Sequence, residues 1–155
     1  MPPFPIAKLN VDGSSLGNPG PSAEEGILWD HSGQVLAAFS MFLGYCTSLE
    51  TEARSLLDGL LLCQTHGYSQ VCIEIDSKVL LDVIQAKAKC PWHIDNIICQ
   101  VWSIARAGHF HFLHGFREVN VAADALAHLA STTQVSSNYQ SHNLPHPVKG
   151  IVCLD

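Results

Sequence analysis

Asp12-Gly13-Ser14-Ser15 opens a glycine-rich stretch that continues to Gly20 and carries most of the information about the fold. Residues 6–11, just before it, alternate apolar and polar side chains with a period of two, which predicts a strand that ends at the acid. Glycine, asparagine and proline at positions 17–20 supply the backbone freedom of a tight connection, whose main chain can approach a ligand closely. Taken alone, this stretch is equally explained by a hairpin without a ligand.

The composition is typical of one globular domain. The chain has 155 residues, of which 47% are hydrophobic, and no run approaches the roughly 18 apolar residues of a membrane span. The proline-rich start lacks the basic and apolar regions of a signal peptide. Six cysteines are scattered with no C-x-x-C pair, as is usual for reduced thiols. We therefore expect a soluble intracellular protein without a disulfide framework or a membrane partner; the compartment is not specified.

The formal net charge of −6 argues against a strongly electrostatic nucleic-acid binder, which usually has a basic patch and a high pI. Carboxylates that gather to hold divalent cations would account for part of this excess, because they count as negative only while the ions are absent.

The order of predicted elements indicates an α/β fold with a five-stranded mixed sheet and helices packed on it. A hairpin of strands 26–29 and 35–43 follows the first strand, and helices and strands then alternate. The later segments are a helix capped by Thr47, a strand at 71–75, a helix from Ser77 to about 88, a helical segment at 94–107, a strand at 110–116 and a helix at 121–130 capped by Asn120. Residues 6–131 form the predicted domain, and 132–155 form a predicted flexible tail.

Four acids lie at predicted element boundaries, where side chains can converge: Asp12, Glu52, Asp76 and Asp124. Sites in α/β sheets form at the carboxyl ends of parallel strands, so Asp12 and Asp76 would be neighbours if the first and fourth strands pair. Each acid alone is also explained as a helix cap, a helix-dipole partner or a solvated side chain. The four together favour a metal site.

Five ordered blocks within residues 8–131 carry a family resemblance. They are Asp12-Gly13-Ser14-Ser15 with Gly17-Asn18-Pro19-Gly20; Glu52 before Leu56-Leu57; Glu74-Ile75-Asp76-Ser77; Pro91-Trp92-His93-Ile94; and His114 before Arg117-Glu118-Val119-Asn120 and Ala123-Asp124-Ala125-Leu126-Ala127. Together they resemble the type 1 ribonuclease H domain, and more closely its plant branch, which is common in retroelement polyproteins.

The resemblance implies the ribonuclease H fold and an endonuclease that hydrolyses the RNA strand of RNA–DNA hybrids. It also implies that Asp12, Glu52, Asp76 and Asp124 hold two Mg²⁺ ions, with Mn²⁺ as a substitute. Hard cations prefer carboxylate oxygens, and two of them can activate a water and stabilise the leaving oxygen of a phosphodiester. Glu52 is chosen over Glu50 by resemblance, because helical spacing does not separate them and Glu50 fits the capping box begun by Thr47.

The resemblance places a proton-transfer histidine at His114, ten residues before Asp124. An imidazole is suited to general acid catalysis at the leaving oxygen, although a strand-end histidine with no catalytic role also explains it. Substrate contacts, including those with the 2′-hydroxyls that distinguish RNA from DNA, are expected from Gly13, Ser14, Ser15, Asn18 and Asn120. The expected partner is an RNA–DNA hybrid, bound by a monomer that stands alone or within a larger polyprotein.

One departure from the family is the segment Pro21–Glu25, which replaces small residues and glycines. Glu24 and Glu25 are expected to lie in a loop near the hybrid and to weaken its binding. This leaves two alternatives: a catalytically idle binding or interaction module of retroelement origin, and a metal-dependent exonuclease of related fold. His109 and His111 share a strand face, but no third ligand beside them in the sequence completes a zinc site.

Overall fold

A computed structural model describes residues 6–115 and 137–139 of the chain. The elements are β1 (Ile6–Ser15), β2 (Gly20–Trp29), β3 (Val35–Cys46), α1 (Ser48–Thr65), β4 (Gln70–Ile75), α2 (Lys78–Ile84), a short 3-10 helix (Trp92–Ile94), α3 (Asp95–Arg106), β5 (His109–His114) and β6 (Ser137–Tyr139). The predicted α/β class is confirmed, and so are the five predicted strands, although their bounds differ.

The strands form one mixed sheet in the order β5-β4-β1-β2-β3-β6. The opening meander β1-β2-β3 is antiparallel, whereas β4 lies parallel to both β1 and β5. The pairing of the first and fourth strands, on which the proximity of Asp12 and Asp76 depends, is therefore confirmed. The short strand β6 pairs antiparallel with β3, so three residues of the predicted tail belong to the sheet.

The core lies between one face of the sheet and the helices. Alternate residues of β1, such as Leu9 and Val11, belong to a buried cluster with Leu56 and Leu60 of α1. Helix α1 can cross β1 this closely because Gly59 has no side chain: a Cβ there would lie 2.7 Å from a Val11 methyl carbon. The intervening β1 residues, including Asp12, fall on the opposite face because side chains alternate along a strand.

Several predicted bounds were wrong. Strand β1 does not end at Asp12 but continues to Ser15, because residues 12–15 pair with β2. Strand β2 begins at Gly20 rather than 26, because residues 20–25 pair in sequence with β3 despite their polar composition. Helix α2 ends at Ile84, and Ala86 just beyond it has a positive φ of 58° that is incompatible with a continuing helix. The helical segment predicted at 94–107 begins as the 3-10 helix and continues as α3 from Asp95 to Arg106.

Candidate active site

Asp12, within β1, and Asp76, the residue after β4, lie side by side on neighbouring parallel strands. Val11 of β1 is the register partner of Ile75 of β4, and the residue after each of them is one of the two acids. Asp12 is 8% exposed, and the Gly13 N–H donates to its Oδ1 at 2.8 Å. Two carboxylates are thereby brought to the same edge of the sheet, where sites in parallel sheets commonly form.

Glu52 approaches this edge from α1. Gly13 permits the approach, since a Cβ on it would lie 2.9 Å from the Glu52 backbone nitrogen. Burial raises the pKa of Glu52; a hydrogen bond from Ser77 opposes the increase, and the nearby Asp76 carboxylate adds to it. Glu52 and Asp76 are therefore close enough to repel each other.

Glu50, the other candidate in α1, has a different environment. Its backbone N–H donates to Thr47 Oγ1 at 3.2 Å, as expected for the cap, and its carboxylate pairs with Arg54 at 3.1 Å. Of the two glutamates, Glu52 is the one whose pKa is raised by the nearby Asp76 carboxylate.

His114 lies on the third strand of the same edge. It is the register partner of Ile75, and its Nε2 is 3.0 Å from the Asp76 carbonyl oxygen. The backbone of Asp76 thus orients the imidazole when that nitrogen carries its proton. Asp12, Asp76 and His114 thus lie on three neighbouring strands, and Glu52 of α1 lies near Asp76; their assignment to one site stays a prediction.

The remaining predicted site residues at the C-terminal end, Asn120 and Asp124, lie outside the described residues. Within the described ranges, no three His, Cys, Asp or Glu side chains form a group arranged to hold a metal ion. Within the same ranges, His109 and His111 belong to no group of metal-binding side chains either. The donor chemistry of Asp12, Glu52 and Asp76 nevertheless fits a hard cation, because all three supply carboxylate oxygens and a cation would relieve the repulsion between Glu52 and Asp76.

The turn between β1 and β2, residues 16–19, is stabilised by side-chain hydrogen bonds. The Ser15 hydroxyl donates to the Gly17 carbonyl, and Asn18 Oδ1 accepts the Ser48 N–H at 3.0 Å, which ties the turn to the start of α1. Ser14 is partly exposed beside them. Contact of Gly13, Ser14, Ser15 and Asn18 with a substrate stays a prediction; the structure gives Gly13, Ser15 and Asn18 an additional role in shaping the turn.

The expected position of Glu24 and Glu25 near the hybrid was wrong. Both lie within β2 and are 0% exposed. Burial, and to a lesser extent the Asp58 carboxyl, raises the pKa of Glu24 from 4.5 to about 10, while Arg54 opposes the increase. Because both side chains are buried, they cannot repel a phosphate backbone in solvent. The expectation that they weaken hybrid binding was therefore wrong as well.

Sequence analysis missed Ser55 of α1, which is fully buried. Its hydroxyl lies 2.6 Å from the Asp12 carbonyl oxygen and 2.5 Å from that of Glu25, so it can donate to either. It thereby joins α1 to the backbones of β1 and β2 directly behind the site. The sequence feature that could have indicated this role is the position of Ser55, a polar residue, among the apolar residues of the predicted helix.

Among the described residues, a cavity of about 560 Å³ lies beside Lys8 and Trp29, towards the opposite end of β1 from Asp12. No helix in the described ranges is long and apolar enough to cross a membrane.

Solved structures with this fold define the class of protein. The N-terminal RNase H domain of Rv2228c from Mycobacterium tuberculosis matches with a TM-score of 0.80 and 25% identity, over 84% of this chain and 96% of that one. LC11-RNase H1, solved in complex with an RNA/DNA hybrid, matches with a TM-score of 0.76 and 25% identity, over 83% of this chain and 98% of that one. The chain has the fold of a type 1 ribonuclease H domain.

A family model described as "Reverse transcriptase-like" matches residues 10–130, and the chain belongs to this family. The bifunctional protein Rv2228c of M. tuberculosis is 31% identical over 134 residues, 83% of this chain. A relative in Arabidopsis thaliana, named as a ribonuclease H protein, is 28% identical over 125 residues, 79% of this chain. The chain spans 36% and 20% of the lengths of these two relatives.

Proposed function

We propose that this chain is an endonuclease that hydrolyses the RNA strand of RNA–DNA hybrids with two divalent cations. The observation that carries the proposal is that Asp12, Asp76 and His114 lie within one residue of the same register row on three neighbouring strands, with Glu52 of α1 near Asp76. The match to an RNase H1 solved in complex with an RNA/DNA hybrid supports the substrate class.

The residues proposed to hold the ions are Asp12, Glu52, Asp76 and Asp124. When bound, two Mg²⁺ ions, or Mn²⁺ in their place, would supply an activated water and charge neutralisation at the leaving oxygen. Asp12 would contribute from within β1, Asp76 from the position after β4 and Glu52 from α1, so the described part of the donor set rests on packed elements. This arrangement limits the reorganisation needed on binding.

His114 is proposed to manage the proton at the leaving oxygen. Its Nε2 lies 3.0 Å from the Asp76 carbonyl oxygen, and this contact fixes the ring beside the proposed metal ligands. Substrate orientation is assigned to Gly13, Ser14, Ser15, Asn18 and Asn120, and the chain is proposed to act as a monomer or within a longer, retroelement-type polyprotein.

The net charge of −6 favours an idle binding or interaction module as the competing function. The burial of Glu24 and Glu25 removes the second argument for that alternative, because neither side chain reaches solvent.

The test is a gel assay on a labelled RNA–DNA hybrid with Mg²⁺ and with excess chelator. We expect internal cleavage of the RNA strand only with Mg²⁺. We expect Asp76→Asn to abolish cleavage while the chain stays folded by circular dichroism, because one anionic ligand is lost without opening a core cavity.

Each other outcome identifies an alternative. Hybrid binding without cleavage by the wild type would indicate the idle module, and stepwise degradation of single strands from an end would indicate an exonuclease. Near wild-type cleavage by Asp76→Asn would remove Asp76 from the site.

A further inference from the structure

Strand β3 would be an edge strand if β6 were absent, because β6 is the outermost of the described strands on that side of the sheet. Edge strands present backbone N–H and C=O groups to other chains, and proteins usually protect them with charged residues, prolines or short length. The twelve residues of β3, Val35–Cys46, include no charged residue and no proline. The strand at the opposite edge, β5, has only six residues, and three of them are histidines. β3 is therefore the strand that needs a cover.

β6 covers the middle of this edge. Its three residues pair antiparallel with three residues of β3. The pairs are Ala38 with Tyr139, Phe39 with Asn138, and Ser40 with Ser137. The three β3 residues are at most 3% exposed, so the pairing lies against a buried part of the strand.

β6 is itself a poor template for a further strand. It is three residues long and has the sequence Ser-Asn-Tyr, in which asparagine is a residue type depleted in strands. As the outermost described strand, it presents a shorter and more polar edge than β3 would. These are the properties of a protective edge strand.

We propose that β6 keeps the chain monomeric by occupying the β3 edge, and that β3 of a second copy takes this place when β6 cannot pair. Two copies of one strand can pair antiparallel about a two-fold axis, because the same residues then supply both sides of the interface. The uncharged β3 offers no like-charge repulsion to such pairing. The inference concerns the opposite side of the sheet from β4 and β5 and does not depend on the proposed function.

The competing explanation is that β6 only stabilises the sheet and has no effect on association. Two double variants of the full chain separate these roles. Ser137→Pro with Asn138→Pro removes two adjacent N–H groups, and because successive N–H groups alternate between the two sides of a strand, one of them faces β3. The matched control is Ser137→Thr with Asn138→Thr, which keeps both N–H groups and introduces a residue type that favours strands.

The experiment is sedimentation velocity on the three full-length proteins over a concentration series, with circular dichroism to verify folding. We expect the wild type and the threonine variant to stay monomeric. We expect the proline variant to form dimers whose share rises with concentration. A proline variant that stays monomeric throughout, or a wild type that associates as strongly, would overturn the inference.

Amide hydrogen exchange measured by NMR locates the interface. We expect the β6-facing amides within Ala38–Ser40 to exchange about tenfold or more slowly in the wild type than in the dilute proline variant, because their hydrogen bonds to β6 are lost there. Their protection should return in the concentrated proline variant, where a second copy replaces β6.

Association of the proline variant without this return of protection would place the interface elsewhere and overturn the inference. Should the proline variant fail to fold, the wild type still decides. Unprotected β6-facing amides within Ala38–Ser40 of the wild type would show that β6 does not cover the edge.

Discussion

At the scale of the residue, the contacts of each glutamate show whether it fits the proposed site or has another role. Glu50 pairs with Arg54, and Glu24 is buried beside Asp58, whereas Glu52 faces Asp76 at the end of β4. The fully buried Glu24 cannot reach an exposed site, and the ion pair of Glu50 gives that side chain a partner of its own. Glu52 is therefore the glutamate whose surroundings fit the proposed site.

The role of His114 gives the residue-scale prediction. We expect His114→Ala to slow hybrid cleavage by about 10²–10⁴-fold without abolishing it, because general acid–base groups contribute in this range and the carboxylates remain. The deficit should shrink at high pH, where a protonated imidazole is scarce in the wild type as well. The check is single-turnover cleavage across a pH series, and equal rates for the two proteins throughout would return His114 to a purely structural role.

At the scale of the element, the site depends on how α1 lies against β1 and β2. Gly59 and Gly13 allow close approach, and Ser55 supplies a donor to the strand carbonyls of Asp12 and Glu25. Since Glu52 lies on α1, these contacts also determine where its carboxylate can reach. The packing of α1 against the sheet therefore also sets the geometry of the proposed site.

We expect Ser55→Ala to lower the free energy of unfolding by about 1–3 kcal/mol, because it removes a buried donor from two carbonyl oxygens. Urea denaturation measures this change. The matched control is Thr65→Ala in the same helix, whose exposed hydroxyl donates to the Leu61 carbonyl at 2.9 Å, and which should lose less than about 0.5 kcal/mol. Equal, small losses in both variants would show that the Ser55 contact contributes little.

At the scale of the whole molecule, the net charge of −6 overstates the negative potential met by a ligand. Glu24 is protonated at neutral pH, since its pKa is about 10. Folding therefore removes at least one negative charge from the formal count. A buried acid of this kind also makes the stability of the whole domain depend on pH.

The sign of that dependence follows from the two pKa values. The unfolded chain releases the Glu24 proton near pH 4.5 and the folded chain keeps it to about 10, so stability falls as pH rises between these values. Glu24→Gln cannot ionise and should be close to wild type near pH 5 but more stable at pH 8, by on the order of a few kcal/mol.

Urea denaturation at the two pH values measures the difference between wild type and Glu24→Gln. Glu50→Gln, which removes one side of a surface ion pair, is the control and should change stability by less than about 1 kcal/mol at both. A constant difference between Glu24→Gln and wild type would contradict a raised pKa.

Local patterns in the sequence were sufficient to predict the α/β class and the five principal strands. Period-two alternation, capping residues and glycine turns act over a few neighbouring residues, so they can be recognised without knowledge of the fold. The pairing of β1 with β4 was inferred conditionally from the same patterns, and the strand register confirmed it.

Only the tertiary structure decided the environments of Glu24 and Ser55. Local composition suggested a solvent-exposed acidic loop and a core helix position. The burial of the Glu24 carboxyl and the partners of the Ser55 hydroxyl depend instead on α1 packing across β1 and β2. Those contacts join residues that are distant along the chain, and for that physical reason no short sequence pattern contains them.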